Sequence, residues 1–155
     1  MDAEQRVAEL GIELPASSPA KALYIPAKRV GSTLYVSGQI PMLDGEMPLR
    51  GRAGAELTLE QAQEAARTCT INLLAVVRSE LGSLDAVRNV VKLQGFVASA
   101  EGFFEQHLVV NAASQLLFDV FGEAGRHART AVAVPALPMN APVEIEAVFE
   151  VGDGA

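Results

Sequence analysis

From Val143 to Val151 the chain alternates with strict period two: Val143, Ile145, Ala147, Phe149 and Val151 fall on one side of an extended backbone, Glu144, Glu146, Val148 and Glu150 on the other. Successive side chains of a strand point to opposite faces, so this segment is a strand with one face made for a core. Its second face is mixed, because Val148 stands among the glutamates. A half-apolar sheet face carrying a few charges is the pattern expected of a subunit interface with a polar site inside it.

The rest of the chain supplies partners for that strand. Asp2 to Leu10 has helical spacing and stops at Gly11, and Pro15 to Lys21 reads as a loop. Leu23 and Ile25, then Leu34 and Val36, predict two strands around a turn at Arg29 to Ser32, and Pro41 to Gly54 collects the residues of a long surface loop. Thr58 and Gln61 form a capping box, and apolar residues from Ala62 to Val77 recur at three- and four-residue steps until Gly82 can end the helix. Val90 to Val97 reads as a strand, Phe103 to Phe121 as a second helix with Leu108, Val109, Ala112, Leu116, Leu117 and Val120 inward, and Ala128 to Val134 as a further strand. The order predicts one α+β domain over residues 1–155, with two helices covering one face of a mixed sheet.

Composition narrows the function. A formal charge of -7 repels a phosphate backbone unless basic residues gather on one face, which disfavours nucleic-acid binding. No apolar run reaches the roughly 20 residues of a bilayer span, so no membrane role is expected. One cysteine and no charged segment before an apolar stretch near Met1 point to the cytoplasm. Cys69 lies on the apolar stripe of the first long helix, the place of a buried, unreactive thiol. His107 and His127 lack metal-ligand spacing, and Gly38, Gly45 and Gly51 form no phosphate or dinucleotide loop, so neither metal nor organic cofactor is expected.

What remains is a set of polar groups in apolar surroundings. Arg129 interrupts a run fit for a buried strand, and a guanidinium there needs an anionic partner. Two readings stand side by side: a structural bridge to Glu144 on the neighbouring strand, or a fork offered to a substrate carboxylate while Glu144 positions a water or a proton. Asn111 sits in an otherwise apolar helix and needs partners for its amide. Ser37-Gly38-Gln39 follows directly on an apolar strand, where glycine allows close approach to backbone. Tyr24 precedes it in the opening hairpin.

Together these pieces resemble one family: Leu-Tyr-Val-Ser-Gly-Gln-Ile-Pro at 34–41, Asn111, Ala-Arg-Thr-Ala at 128–131, and Leu-Pro-Met-Asn-Ala-Pro-Val-Glu-Ile-Glu-Ala at 137–147. They are similar to the Rid, or YjgF, family, also labelled endoribonuclease L-PSP, over roughly Tyr24 to Val151. The resemblance implies a chorismate-mutase-like fold, a homotrimer with clefts between subunits, and cofactor-free hydrolysis of reactive enamines and imines to 2-oxo acids and ammonia. It implies that Arg129 grips the substrate carboxylate and Glu144 orients the attacking water, with Tyr24, Ser37, Gly38, Gln39 and Asn111 lining the pocket. Ala131 departs from the pattern, since many members carry cysteine there. The segment to Pro15 is an N-terminal extension, and the loop at 41–54 and the turn at 122–127 are also enlarged. Arg126 and His127 in that turn either line the cleft or are solvated.

The first functional expectation is therefore a deaminase acting on a small carboxylate-bearing intermediate. The alternative is a non-catalytic ligand-binding or stress-related interaction protein that uses the same clefts. A ribonuclease conflicts with the charge and with the lack of a basic stripe interleaved with aromatics.

Overall fold

The computed structural model describes residues 1–17 and 23–153. It contains helices α1 (Ala3–Glu9), α2 (Leu59–Leu81) and α3 (Gln106–Phe121) and strands β1 (Ala27–Val30), β2 (Thr33–Gln39), β3 (Val87–Ala98), β4 (Ala128–Val134) and β5 (Val143–Val151). One sheet holds all five strands in the order β1-β2-β5-β3-β4, antiparallel except for β3 and β4. This is the mixed α+β arrangement expected from the sequence.

Chain direction decides where the helices go. Because β2 and β3 both run antiparallel to β5, they are parallel to each other, so α2 and α3 are both crossovers between parallel strands. Both crossovers move the same way along the sheet, and right-handed connections then place both helices on one face. The core lies beneath them: Val143, Ile145, Ala147, Phe149 and Val151 are all buried, alongside Leu34, Leu93 and Val97. Glu144, Glu146, Val148, Phe96, Gln94 and Tyr35 line the open face, which carries a concavity of about 420 Å³ near Tyr35, Lys92 and Glu146. Each of these residues is half-buried or exposed in the single chain.

Helix α2 follows its sequence signals closely. Thr58 and Gln61 exchange capping bonds, Gly82 closes the helix in the left-handed region, and Cys69 is buried with its thiol donating to the Val143 carbonyl at 3.4 Å. Burial pushes that thiol's pKa well up. Helix α1 has its own capping box, Asp2 with Gln5, and is docked by Glu4, which receives both Nε and Nη2 of Arg78 and the Leu84 amide.

Three expectations shift. Leu23 and Ile25 are exposed and outside any strand: β1 starts only after Pro26, which has no N–H for the ladder, and the turn tightens to Gly31-Ser32. Part of the Pro15 to Lys21 loop lies outside the described residues. Helix α3 begins at Gln106, because a turn at Glu101-Gly102 holds Phe103 and the Gln106 side chain is spent on Ser99 and the Phe103 carbonyl. Its inward face uses Val110 and Ala113, while Leu108 and Ala112 are only half-buried.

Val110 reaches the sheet at Gly95. A Cβ on Gly95 would lie 2.4 Å from Val110 Cγ2, closer than any carbon pair tolerates. Gly95→Ala should therefore lower stability by about 1–3 kcal/mol in chemical denaturation, as overpacking does. Adding Val110→Ala should recover much of that loss; a double variant no more stable than Gly95→Ala would show that the contact is not the cause.

Candidate functional site

The residues singled out in the sequence fall into two groups. The first gathers at the end of β2. A bulge there shifts the β2–β5 register between Val36 and Gln39, and an extra residue re-aims the chain locally. The Ser37 hydroxyl donates to the Ile25 carbonyl at 3.1 Å and its amide to the Pro26 carbonyl at 2.9 Å, which ties the segment carrying Tyr24 to β2. Gln39 donates back to the Ser37 carbonyl at 3.1 Å. Tyr24, Ser37, Gly38 and Gln39 line a pocket of about 460 Å³, floored by Asn72 and Val76 of α2.

Glu144 belongs beside this group. A Cβ on Gly38 would come within 2.8 Å of Glu144 Cδ, so glycine there lets the carboxylate lie close against the β2 backbone. Partial burial raises the Glu144 pKa, and the negative charge of Glu146 two residues on adds to it.

The second group lies at the far edge of the sheet. Arg129 on β4 pairs with Leu93, a helix-facing residue, so its side chain rises toward α3. Its Nη1 donates to Asn111 Oδ1 at 2.8 Å and to Ser114 Oγ at 3.2 Å, and its Nη2 donates to the His107 carbonyl at 3.3 Å. Asn111 is exposed on α3 and not sunk in the core, and Arg129 is the partner its amide was expected to need. His127 lies next to this cluster, its Nε2 2.9 Å from Ser114 Oγ and its Nδ1 2.7 Å from the Gly125 carbonyl. Burial lowers the His127 pKa and the nearby Arg129 charge lowers it further, while the bond to Gly125 works the other way.

The structural bridge between Arg129 and Glu144 is not formed. The strands β4 and β5 flank β3, the row of Arg129 is that of Leu93 and Ala147 while Glu144 is level with Phe96, and the two side chains leave opposite faces. Among the described residues the ion pairs involve Arg29, Arg52, Arg78 and Arg126, not Arg129. Within one chain the two groups stay apart: three strand spacings separate β2 from β4, roughly 14 Å. Of the turn residues, Arg126 is exposed over Phe118 and paired with Glu123, whereas His127 is half-buried and bonded. The sequence reading missed Ser114 altogether. Its signal was present, since Asn111 and Ser114 are three apart on one helix face and His127 and Arg129 share strand parity.

Known proteins fit this arrangement. The family described as "YjgF/chorismate_mutase-like, putative endoribonuclease" matches residues 4–150. The chain belongs to the YjgF, or Rid, family. Protein TCP17 of Trypanosoma cruzi is 44% identical over 145 residues, covering 93% of this chain and 91% of its own. The crystal structure of Atu1372 from Agrobacterium tumefaciens, a protein of unknown function, superposes with a TM-score of 0.91 at 48% identity over 97% of this chain and 92% of its own. E. coli TdcF with bound serine superposes with a TM-score of 0.65 at 25% identity, over 88% and 94%. Among the described residues no helix is long and apolar enough to cross a membrane, and no three His, Cys, Asp or Glu side chains are grouped to hold a metal.

The raised Glu144 pKa has a stability consequence. A carboxyl whose native pKa exceeds its unfolded value binds protons more readily in the native state, so its favourable contribution is full below the unfolded pKa and is lost as pH rises through the native one. Glu144→Gln, which copies the neutral form, should therefore melt higher than the wild type at pH 7, with the gap closing as pH falls toward 4. A gap that widens on acidification would contradict the assignment.

Proposed function

We propose that the protein hydrolyses small enamines and imines that carry a carboxylate, giving 2-oxo acids and ammonia, in clefts shared between the subunits of a homotrimer. The observation that carries this reading is the state of Arg129. Its guanidinium is oriented by three neutral acceptors and faces no carboxylate among the described residues, so its full positive charge is available to an anion. The bound serine of E. coli TdcF is a small amino acid with a carboxylate, which supports the same ligand class here.

The chemistry asks little more of the chain. Arg129 and Asn111 from one subunit hold the carboxylate end of a 2-imino acid. The pocket of Tyr24, Ser37, Gly38 and Gln39 from a neighbour, with Glu144 against Gly38, encloses the imine carbon. Water adds to that carbon as the C=N electron pair moves to nitrogen, which takes a proton. Loss of ammonia from the resulting carbinolamine then forms the 2-oxo acid. Glu144, whose pKa burial and the Glu146 charge raise, is the carboxyl placed to exchange protons with water and nitrogen. No thiol takes part, because alanine occupies position 131. The shared cleft follows from two features: the separated half-sites, and an open sheet face where Tyr35, Phe96 and Val148 lie among charges.

An amino-acid oxidase supplying 2-imino acids in the presence of semicarbazide tests the reaction. The wild type should suppress semicarbazone formation, and Arg129→Lys, which keeps the charge but loses the fork, should reduce that activity by on the order of tenfold or more with the fold intact. Light scattering should give three times the chain mass at micromolar concentration. Probe binding without turnover would favour a ligand-binding role for the same cleft, and a monomer would remove the shared site.

A further inference from the structure

We propose that Ser114 and His127 are positioning residues for Arg129, selecting which edge of its guanidinium is presented to the ligand; this rests on the carboxylate-binding reading above.

Donor and acceptor chemistry fixes the direction of every bond in the chain of contacts. Arginine only donates, so Nη1 donates to the Ser114 oxygen at 3.2 Å and to Asn111 Oδ1 at 2.8 Å. The Gly125 carbonyl only accepts, so His127 Nδ1 carries hydrogen and donates to it at 2.7 Å. A neutral ring protonated on Nδ1 leaves Nε2 as an acceptor, and the Ser114 hydroxyl donates to it at 2.9 Å. The serine thus has one bond in and one bond out, and its lone pairs are turned toward Arg129. A charged ring would reverse this: Nε2–H would donate to the serine oxygen, which would then accept from the ring and from Nη1 together, beside the Arg129 cation. Burial and the Arg129 charge both favour the neutral ring. The groups in contact with the ring are the Ser114 hydroxyl from α3 and the Gly125 carbonyl from the preceding turn; Arg129 on β4 acts through its charge, and no carboxylate among the described residues pairs with the ring.

The consequence is selective. With Nη1 committed to Asn111 and Ser114 and one Nη2 hydrogen to the His107 carbonyl, the donors without a partner among the described residues are Nε–H and the second hydrogen of Nη2. That pair is the side edge of the guanidinium. Arg78 uses the same two nitrogens, Nε and Nη2, to hold the Glu4 carboxylate in this very chain. The relay from Gly125 through His127 and Ser114 therefore occupies the wrong edge and leaves the right one for a bidentate carboxylate.

The test uses the full-length protein with 2-oxobutanoate as the probe. Its Kd is measured for the wild type and for Ser114→Ala, Ser114→Thr, His127→Leu, His127→Gln and Arg129→Lys, with the melting temperature of each. Ser114→Ala and His127→Leu should weaken binding about tenfold, the size of one charge-assisted hydrogen bond. Ser114→Thr keeps the hydroxyl and His127→Gln keeps an acceptor in reach of it, so both should restore most of the affinity. In the imino-acid assay the impaired variants should raise KM by a similar factor and leave kcat within about twofold. Nitrogen NMR of the unliganded protein at pH 7.5 should show His127 protonated on Nδ1 alone.

The outcomes separate. A ring protonated on Nε2 overturns the relay whatever the ligand does. Unchanged Kd in Ser114→Ala and His127→Leu, with Arg129→Lys impaired, overturns the positioning role and leaves the carboxylate site standing. A lowered melting temperature with unchanged Kd assigns the pair a structural role only and also overturns the proposal. Failure of the wild type to bind, or equal binding by Arg129→Lys, sinks the carboxylate reading and this proposal with it.

Discussion

The contact between Gly95 and Val110 sets the geometry on which both the core and the Arg129 cluster depend. Interiors are close-packed, and a helix can settle deeper on a sheet only where side chains are missing. Gly95 on β3 and its register neighbour Ala131 on β4 provide that space, and Val110 fills it. Asn111, the next residue, is thereby carried to the sheet edge, with Ser114 one turn along the same face. Arg129, two residues before Ala131 on the same strand, meets both. The small residue at 131, where many members of the family carry cysteine, also belongs to the partly buried shell of the core.

Connection handedness imposes the second constraint. Placing α2 and α3 on one face buries half of β5 and leaves the other half without cover from its own chain. The same sheet order carries β2 to one side and β4 to the other, so the polar groups at their ends cannot meet within the chain. An uncovered face and a divided set of site residues are thus two results of one topology. Both are relieved by an arrangement in which subunits meet along the sheet.

Much of the fold was legible because its signals are local. The Thr58–Gln61 box and Gly82 define α2 through backbone bonds within one or two turns, and the period of β5 states which side is buried. The misread elements are those decided by contacts that apolar periodicity does not report. Nothing near Phe103 says that Gln106 will be spent on Ser99, and the strand pattern before Pro26 is broken by a missing amide that matters only once β2 lies alongside. The site shows the same division. The residue types at 24, 37–39, 111, 129 and 144 stood out in the sequence, but their grouping did not. Pairing Arg129 with Glu144 assumed adjacent strands, whereas β3 lies between them. Ser114 was passed over, and His127 was left open between the cleft and solvent, because a serine in a helix and a histidine in a turn are each ordinary until a third residue joins them.

Two arginines in this chain show how one side chain serves two ends. Arg78 meets Glu4 with Nε and Nη2, and the pair neutralises itself while it fastens α1 to the end of α2. Arg129 receives comparable restraint from Asn111, Ser114 and the His107 carbonyl, but every one of these is neutral. Hydrogen bonds to neutral acceptors fix orientation without cancelling charge, so the attraction for an incoming anion is kept while the entropy of ordering the long side chain is already spent in folding. In a chain of net charge -7, small anions are repelled at long range by the whole, while a guanidinium held by neutral acceptors attracts them at short range. On the reading proposed above, selectivity would fall on contact geometry, since a planar carboxylate able to reach the guanidinium edge would gain two bonds.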